Sequence, residues 1–217
     1  LSQVEHAMFR DRSPEEYRQA LNVCRRSTRR MKSLIGQLLF LARADAGKLA
    51  LRFVPIDLAE VAAQAVELLH PLATAHTVSM TTELAPAELL GDPDRLGQVV
   101  TNLITNAIRY NNPNGHVIVQ TMSSEHEVIL RVRDDGIGIP QADKPHLFDR
   151  FYRVDTARTQ QDDTGTGLGL SLVQEIVTAH AGTIDVQSTL GAGTVITIRL
   201  PIDSKVVTGT PQTKRPL

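Results

Sequence analysis

The first clear pattern of apolar and polar positions along the chain is a heptad repeat between residues 14 and 46. Ser13, Pro14 and Glu16 precede it as a capping box with proline at the first helical position, so we predict that a long helix begins here. Residues 1–10 have the pattern of the end of another helix, so we expect a helical hairpin that forms a four-helix bundle as a dimer. The apolar stripe, spaced alternately by four and three residues, consists of Tyr17, Leu21, Cys24, Thr28, Met31, Ile35, Leu38 and Ala42.

Shorter helices and strands follow the heptad pattern. Asp57 and Glu60 form a second capping-box sequence, and Asp92 with Pro93 opens another helix. The predicted buried face of the earlier helix consists of Leu58, Val61, Ala62, Ala65, Leu68 and Leu69. That of the later helix consists of Leu96, Val99, Val100, Leu103 and Ala107.

Alternating apolar positions predict five strands in the same part of the chain. "TVSMTTEL" is one strand, "HVIVQTM" and "EVILRVRD" form a pair across a short turn, and "TIDVQST" and "TVITIRLP" form another pair around Gly191 and Gly193. The connections within the pairs are too short for βαβ crossovers, which excludes a doubly wound fold. We therefore predict an α+β fold, a two-layer α/β sandwich with helices on one face of a mixed sheet.

Composition and charge exclude some classes of function but do not indicate a particular one. A formal net charge of −1 in 217 residues gives no reason to expect nucleic acid as a partner. Cys24 is the only cysteine, so an internal disulfide is excluded and a reducing compartment fits. The longest apolar stretch, around residues 34–42, is too short to span a bilayer. Because the chain begins at Leu1 rather than Met, we expect it to be a piece of a longer protein.

The glycine-rich stretch "GTGLGL", which begins at Gly165, raises three interpretations. A Walker A loop would need Gly-Lys-Ser/Thr, and no lysine is present. A dinucleotide fingerprint would need a strand directly before it, whereas the preceding residues "TARTQQDDT" are polar. The remaining interpretation is a flexible loop facing phosphate at the start of a helix, with an ordinary turn as the structural alternative.

Other polar positions favour the phosphate interpretation. Asp134 follows a strand and precedes Gly136 and Gly138, so its carboxylate can accept a hydrogen bond from an exocyclic amine while the glycines leave room for a flat ring. Asn102 and Asn106 lie four residues apart on one helix face, where amide oxygens suit magnesium together with phosphate oxygens. Arg109 follows as a candidate phosphate contact, although each feature alone is common in turns, caps and solvated helix faces.

These motifs together resemble the cytoplasmic part of bacterial two-component sensor histidine kinases. "QVVTNLITNAIRY" resembles the asparagine box of that family and "DDGIGIP" its first glycine box. "LFDRFYRVD" resembles the phenylalanine box, "GTGLGLSLVQEIV" the second glycine box and "GAGTVITIRLP" the final glycine segment. The resemblance runs from about residue 15 to residue 202, and the order of the boxes makes it specific.

The resemblance implies a Bergerat ATP-binding fold and a role for individual residues. Asn106, Asn102 and Arg109 would be catalytic residues, with Asn106 as the magnesium ligand and Asn102 in support of it, and Asp134 would bind the adenine amine. Arg109 would also line the phosphate side of the site together with Tyr110 and Arg153, and Tyr152 would be a nucleotide-binding residue. Gly165, Gly167 and Gly169 would form a lid over the phosphates. The remaining implied nucleotide-binding residues are Gly136, Gly138, Thr166, Leu168 and Thr194.

The family's histidine box, Ser-His-Glu-x-Arg-Thr-Pro, is not present in these 217 residues. His6 lacks the acidic neighbour and the proline of that box, so we do not expect it to be the phospho-acceptor. Two smaller departures are Asp135, where the family often has Asn, and Arg109, where Lys is common. The expected parts are a partial dimerisation and histidine-phosphotransfer hairpin at 1–46, a linker at 47–56, an ATP-binding domain at 57–202 and a disordered tail at 203–217.

The function implied by the resemblance is transfer of the ATP γ-phosphoryl group to a histidine, for relay to a response-regulator aspartate. The expected cofactors are ATP and Mg²⁺, and the expected partners are a response regulator receiver domain and a second copy of the chain. The expected location is the cytoplasmic portion of an inner-membrane sensor, with membrane contact only through other segments of the parent. One alternative is an ATP-binding switch without kinase activity, and another is a serine kinase or ATPase of the same fold.

Overall fold

The computed structural model describes residues 13–154 and 166–203, and these divide into two compact units on either side of the Ala46–Gly47 bond. The predicted helix at residues 1–10, His6, Gly165 and the predicted tail from residue 204 lie outside the described residues.

The described part of the N-terminal unit, residues 13–46, forms one long helix, α1 (Pro14–Asp45). Both halves of the predicted capping box are present, since the side chain of Ser13 accepts the N–H of Glu16 and the Glu16 carboxylate accepts the N–H of Ser13. The heptad stripe is largely exposed, because one helix cannot cover its own stripe. Its exposed large members are Tyr17, Leu21, Met31, Ile35 and Leu38, with exposed fractions between 40% and 68%.

The second unit contains the predicted mixture of helices and strands. Its helices are α2 (Leu58–Ala75), α3 (Pro93–Arg109) and α4 (Gly169–Ala179), and a 3₁₀ turn spans Lys144–His146. Its strands are β1 (Val54–Asp57), β2 (Ser79–Leu84), β3 (Glu88–Gly91), β4 (His116–Ser123), β5 (Glu127–Asp134), β6 (Thr183–Thr189) and β7 (Gly193–Pro201).

Five of the strands form a mixed sheet in the order β2-β4-β5-β7-β6. β2 runs parallel to β4, and the other neighbours are antiparallel. Alternate residues of the central strands, such as Val128, Leu130 and Val132 of β5, are buried on the face that the three helices cover. The predicted two-layer α/β sandwich is confirmed, and β1 and β3 form a separate antiparallel ribbon.

The predicted face of α3 is confirmed, since all five of its residues are buried. The predicted face of α2 is wrong at Leu68, which is 69% exposed, and Val61 is only half-buried. The buried positions of α2 are Leu58, Ala62, Ala65, Leu69 and Ala73, and Leu68 lies about 100° around the helix from Leu69.

The start of α2 also differs in detail from the prediction. Asp57 caps the helix, since its Oδ1 accepts the N–H of Ala59 at 2.9 Å. The predicted reciprocal bond from Glu60 is not among the hydrogen bonds of the described residues. Asp57 is instead the last residue of β1, and its Oδ1 also accepts the N–H of Ala87, which ties the helix start to the strand ribbon.

Candidate functional site

Asp134 is the last residue of β5, and its carboxylate is held by the backbone around it. Its Oδ1 accepts the N–H of Gly136 at 3.0 Å and the N–H of Thr194 at 3.2 Å. Within the described part of the chain Oδ2 accepts no hydrogen bond, so one oxygen is fixed and the other is available to a ligand. Burial raises the pKa of Asp134 to about 6; the two backbone hydrogen bonds oppose this, and the charge of Asp135 adds to it.

The loop after Asp134 is fixed at both of its sides. The N–H of Ile137 donates to the carbonyl of Tyr110, which follows α3, at 3.0 Å. The carbonyl of Ile137 accepts the N–H of Gly191, which lies in the β6–β7 turn, at 2.8 Å. Gly138 has φ +67° and lies so close to this turn that a Cβ would be 2.1 Å from the carbonyl oxygen of Thr189. Only glycine satisfies both conditions, so the loop position depends on it.

Asp135 has a structural role in the loop after β5. Its Oδ1 accepts the N–H of His116 at 2.6 Å, and its carbonyl accepts the side-chain amide of Asn112 at 3.0 Å. These bonds connect the loop after β5 to the start of β4. An Asp is sufficient for this contact, so the departure from the family's Asn does not disturb the loop.

The asparagine pair lies on the second half of α3, and both side chains are half-buried. A Cβ at Gly169 would lie 3.3 Å from Oδ1 of Asn102, which places this asparagine against the first residue of α4. Asn106 lies one helical turn further along the same face, followed by Arg109 at the end of the helix and Tyr110 at its cap. The predicted magnesium role of Asn106 and the phosphate roles of Arg109 and Tyr110 remain predictions.

The described part of the predicted lid begins at Thr166. The Oγ1 of Thr166 accepts the N–H of Leu168 at 3.3 Å, and Leu168 is fully buried at the start of α4. Gly167 has φ +69°, and its carbonyl accepts the N–H of Phe151 at 2.9 Å. The phenylalanine box and the second glycine box are therefore in direct backbone contact. Gly165 is outside the described residues, so its predicted role is not addressed by the structure.

Tyr152 and Arg153 follow Phe151 and are both half-buried. The hydroxyl of Tyr152 donates to Oδ1 of Asp143 at 2.5 Å, and its ring centroid lies 5.4 Å from that of His146. These contacts connect Tyr152 to the segment that precedes it. The predicted phosphate contact of Arg153 and the predicted nucleotide-binding role of Tyr152 remain predictions.

His180 is a buried polar residue that the sequence patterns did not identify, and it lies at the opposite end of α4 from Gly169. Its Nδ1 donates to the carbonyl of Ile176 at 2.8 Å, so Nε2 is left to accept the N–H of Asp92 at 3.0 Å. It thereby connects the end of α4 to the start of α3, and burial lowers its pKa. The signal was present in the sequence, because Val173, Ile176 and His180 share the apolar face of α4.

The donor set restricts how a cation could be held. Among residues 13–154 and 166–203, no group of three His, Cys, Asp or Glu could hold a metal ion. A half-buried amide oxygen on Asn106 fits a hard cation only if most of the other ligands come from phosphate and water. The residues therefore fit magnesium that arrives with a nucleotide.

Across the same two stretches of chain, no helix has the length and apolar character needed to cross a membrane.

A five-stranded mixed sheet, covered on one face by three helices and carrying glycine-rich loops at one end, defines a sheet-based ATPase domain of the Bergerat type. Two family models agree with this class. The model of the histidine kinase-, DNA gyrase B-, and HSP90-like ATPase family matches residues 91–204, and that of the phospho-acceptor His Kinase A domain matches residues 3–47. The chain belongs to the histidine kinase-, DNA gyrase B- and HSP90-like ATPase family, as the ATP-binding catalytic region of a two-component sensor histidine kinase.

Individual relatives agree with this assignment. The chain is 38% identical over 190 residues to "Probable sensor histidine kinase TcrY" of Mycobacterium tuberculosis, covering 88% of this chain and 39% of the relative. It is 37% identical over 186 residues to "Sensor histidine kinase RppB" of Synechocystis, covering 85% of this chain and 41% of the relative. The chain thus spans about two fifths of the length of these curated relatives.

A solved structure supports the same conclusion. The mycobacterial sensor histidine kinase MprB is similar with a TM-score of 0.61 and 28% identity, covering 70% of this chain and 99% of the solved chain.

Proposed function

We propose that this chain binds ATP with magnesium and catalyses transfer of the γ-phosphoryl group to a histidine nitrogen on a phospho-acceptor hairpin. The observation that carries the proposal is the half-buried carboxylate of Asp134, which has one oxygen fixed by two backbone N–H groups and the other open. Such a carboxylate can accept a hydrogen bond from the exocyclic amine of adenine. The ordered loop around Gly138 supports it as the wall of a flat binding pocket.

The phosphate side of the proposed site is formed by α3 and the start of α4. The contact of Asn102 with Gly169 supports this arrangement, because it brings the asparagine face against a helix N-terminus with free N–H groups. Asn106 would hold magnesium, and Arg109, Tyr110, Tyr152 and Arg153 would contact the phosphates. The lid would consist of Gly165, Thr166, Gly167, Leu168 and Gly169.

In the proposed reaction a ring nitrogen of the acceptor histidine attacks the γ-phosphorus. The bond from that phosphorus to the β–γ bridging oxygen breaks, and ADP leaves. Bound magnesium would neutralise charge on the phosphate oxygens. The residues of this chain would position the nucleotide in line with the acceptor, which is most of what phosphoryl transfer requires from a protein.

The remaining parts of the proposal concern the parent protein. The phosphohistidine would pass its phosphoryl group to an aspartate of a response regulator. The exposed stripe of α1 supports pairing with a second copy, and the ATP-binding domain would occupy residues 57–202 after a linker at 47–56. A cytoplasmic location follows from the need for ATP, and the parent would be an inner-membrane sensor.

A phosphotransfer assay tests the proposed function. The chain is mixed with γ-labelled ATP, magnesium and a separately produced hairpin that carries a Ser-His-Glu-x-Arg-Thr-Pro box. We expect label on the hairpin and none on the chain, because the 217 residues contain no such box. Asn106→Ala should abolish the transfer, and a hairpin with Gln in place of the histidine is the matched control. Binding of ATP without transfer would favour the switch module instead.

A further inference from the structure

Three polar side chains lie in one row across the sheet, on the face that the helices cover. Asp134 of β5 is directly opposite Thr194 of β7, and Thr194 is directly opposite Ser188 of β6. The next row inward on the same face is apolar, with Val132 opposite Ile196. We call Asp134, Thr194 and Ser188 the polar row; it forms the end of the inner face where the proposed base pocket begins.

Opposed side chains on one face lie close together, with Cβ atoms roughly 5 Å apart. A ligand group that reaches the open oxygen of Asp134 therefore also meets the side chain of Thr194. Thr194 is 8% exposed, so it lies inside the fold rather than on the outer surface and would line the proposed pocket.

The hydrogens of the polar row can be assigned from its partners. Ser188 Oγ lies 2.9 Å from three groups: the N–H of Ile139, the carbonyl oxygen of Gly193 and the Oγ1 of Thr194. The N–H can only donate and the carbonyl can only accept, so the single hydroxyl hydrogen of Ser188 goes to Gly193. Thr194 must then be the donor in its bond with Ser188, which leaves its Oγ1 able only to accept from a ligand.

We propose that Ser188 determines base specificity by orienting the Thr194 hydroxyl, so that the pocket wall offers only acceptors to position 6 of a purine. The open oxygen of Asp134 and the Oγ1 of Thr194 both favour a 6-amino group, which donates. Both disfavour a 6-oxo group, which accepts, because two acceptors facing each other leave a buried polar atom unpaired. The inference rests on the proposed function, since it assumes that adenine occupies this pocket.

Ser188 has no need to touch the base for this role, so it is a positioning residue. Ser188→Ala removes the acceptor of the Thr194 hydroxyl, which can then rotate and donate to a 6-oxo group. The gain in affinity for a 6-oxopurine comes from the freed Thr194 hydroxyl, so this gain must vanish when that hydroxyl is also removed. If Ser188→Ala instead only made the pocket less rigid, the gain in affinity would persist without the hydroxyl.

The experiment measures the dissociation constants of ATP and inosine triphosphate with magnesium for four forms of the full chain. They are the unsubstituted chain, Ser188→Ala, Ser188→Thr and Ser188→Ala with Thr194→Val, each checked for cooperative thermal unfolding. Inosine triphosphate replaces the 6-amine by an oxo group and lacks the extra amine of guanine. The preference for ATP is the ratio of the two dissociation constants. We expect Ser188→Ala to lower it about tenfold, which is the effect of one hydrogen bond. Ser188→Thr, which keeps the hydroxyl, should retain the preference.

The double variant decides between orientation and loosening. The double variant lacks both the freed donor and the Thr194 acceptor, so it should prefer ATP through Asp134 alone. A preference for ATP that lies between those of Ser188→Ala and the unsubstituted chain supports the assignment. An unchanged preference in Ser188→Ala, or a preference in the double variant no higher than in Ser188→Ala, overturns it. If Ser188→Ala does not unfold cooperatively, Ser188→Cys takes its place, since a thiol is a weak acceptor. Failure of the unsubstituted chain to bind ATP would instead contradict the proposed function.

Discussion

The backbone of Phe151 lies directly against Gly167, the second residue of the described lid segment. The N–H of Phe151 donates to the Gly167 carbonyl at 2.9 Å, and a Cβ on Gly167 would lie 2.6 Å from the carbonyl carbon of Phe151. Gly167 also has φ +69°, which side-chain-bearing residues rarely adopt. The glycine is therefore required for the lid segment to meet the segment that precedes it.

We predict that Gly167→Ala destabilises the fold by about 1–3 kcal/mol and weakens ATP binding, because the lid segment must move away from Phe151. Gly97→Ala is the matched control: it lies within α3, and its Cβ would meet only Val61 at an ordinary 3.8 Å. The control should gain about 0.5–1 kcal/mol, the usual preference for Ala over Gly in a helix. Denaturant unfolding and ATP titration measure both effects, and equal stability of the two variants would contradict the prediction.

Asp134→Asn should stabilise the protein while impairing ATP binding. Burial raises the pKa of Asp134 to about 6 from an ordinary value near 3.8, so the folded protein binds this proton more tightly than the unfolded chain. Stability from this group is present below about pH 4 and lost as pH rises through 6. Asn removes this loss, on the order of 3 kcal/mol at neutral pH. It also presents an amide donor to the adenine amine, which is itself a donor.

The check is the melting temperature of Asp134→Asn minus that of the unsubstituted chain between pH 5 and pH 8. We expect the difference to increase with pH. A difference that is flat or decreases would show that the carboxylate carries no burial penalty.

His180→Leu should destabilise the protein because it leaves the N–H of Asp92 without a partner in a buried region, whereas the carbonyl of Ile176 still accepts the backbone N–H of residue 180. The expected loss is about 1–3 kcal/mol, the cost of one unpaired buried group. His180→Gln retains an acceptor at the end of a side chain of similar length and should recover part of it. Denaturant unfolding measures both, and equal losses would contradict the role assigned to Nε2.

The same pair of variants gives a pH test with the opposite sign to that of Asp134. Burial lowers the pKa of His180, so the unfolded chain binds this proton more tightly. Stability from His180 is fully present above about pH 6.5, the ordinary value, and is lost as pH falls. His180→Gln should remove this loss of stability at low pH. Its melting temperature should therefore decline less steeply below pH 6.5 than that of the unsubstituted chain.

Ile35→Glu should weaken self-association without unfolding α1. Ile35 lies on the heptad stripe and is 58% exposed, so a charge there is solvated in the single chain but buried in a bundle. The dissociation constant of the dimer should rise at least about tenfold, by the cost of one unpaired charge at a packed position. Sedimentation velocity measures it beside Arg25→Glu, which lies off the stripe. A larger effect of the control would locate the contact elsewhere.

Much of the fold follows from local sequence signals, and the exceptions have identifiable causes. The caps at Ser13 and Asp92 and the paired strands around Gly191 involve residues close in sequence, where pattern and turn chemistry suffice. The strand β3 was not predicted, because "ELLG" is four residues long and pairs with β1 more than thirty residues earlier. Leu68 was assigned to the core because a stripe predicted from sequence cannot separate neighbouring leucines.

The site residues that lie in a local sequence motif could be predicted from the sequence. The contacts between residues far apart in the sequence could not. Asp134 and the glycines after it were recognisable from their place at a strand end. Outside the site, the sequence pattern places His180 on the apolar face of α4, but it does not indicate its partner Asp92, which lies 88 positions away. The polar row likewise requires the strand register, which brings Asp134 and Thr194 together across sixty residues.

The most direct test of the central claim is calorimetric titration of the chain with ATP and magnesium, beside Asp134→Ala and Asn106→Ala. We predict micromolar-range binding, roughly −8 kcal/mol, that both substitutions weaken by at least about tenfold. Asp134→Ala should weaken ATP and adenosine alike, whereas Asn106→Ala should leave adenosine unaffected and remove the dependence on magnesium. Binding of ATP that neither substitution changes would contradict the account by placing the nucleotide elsewhere on the chain.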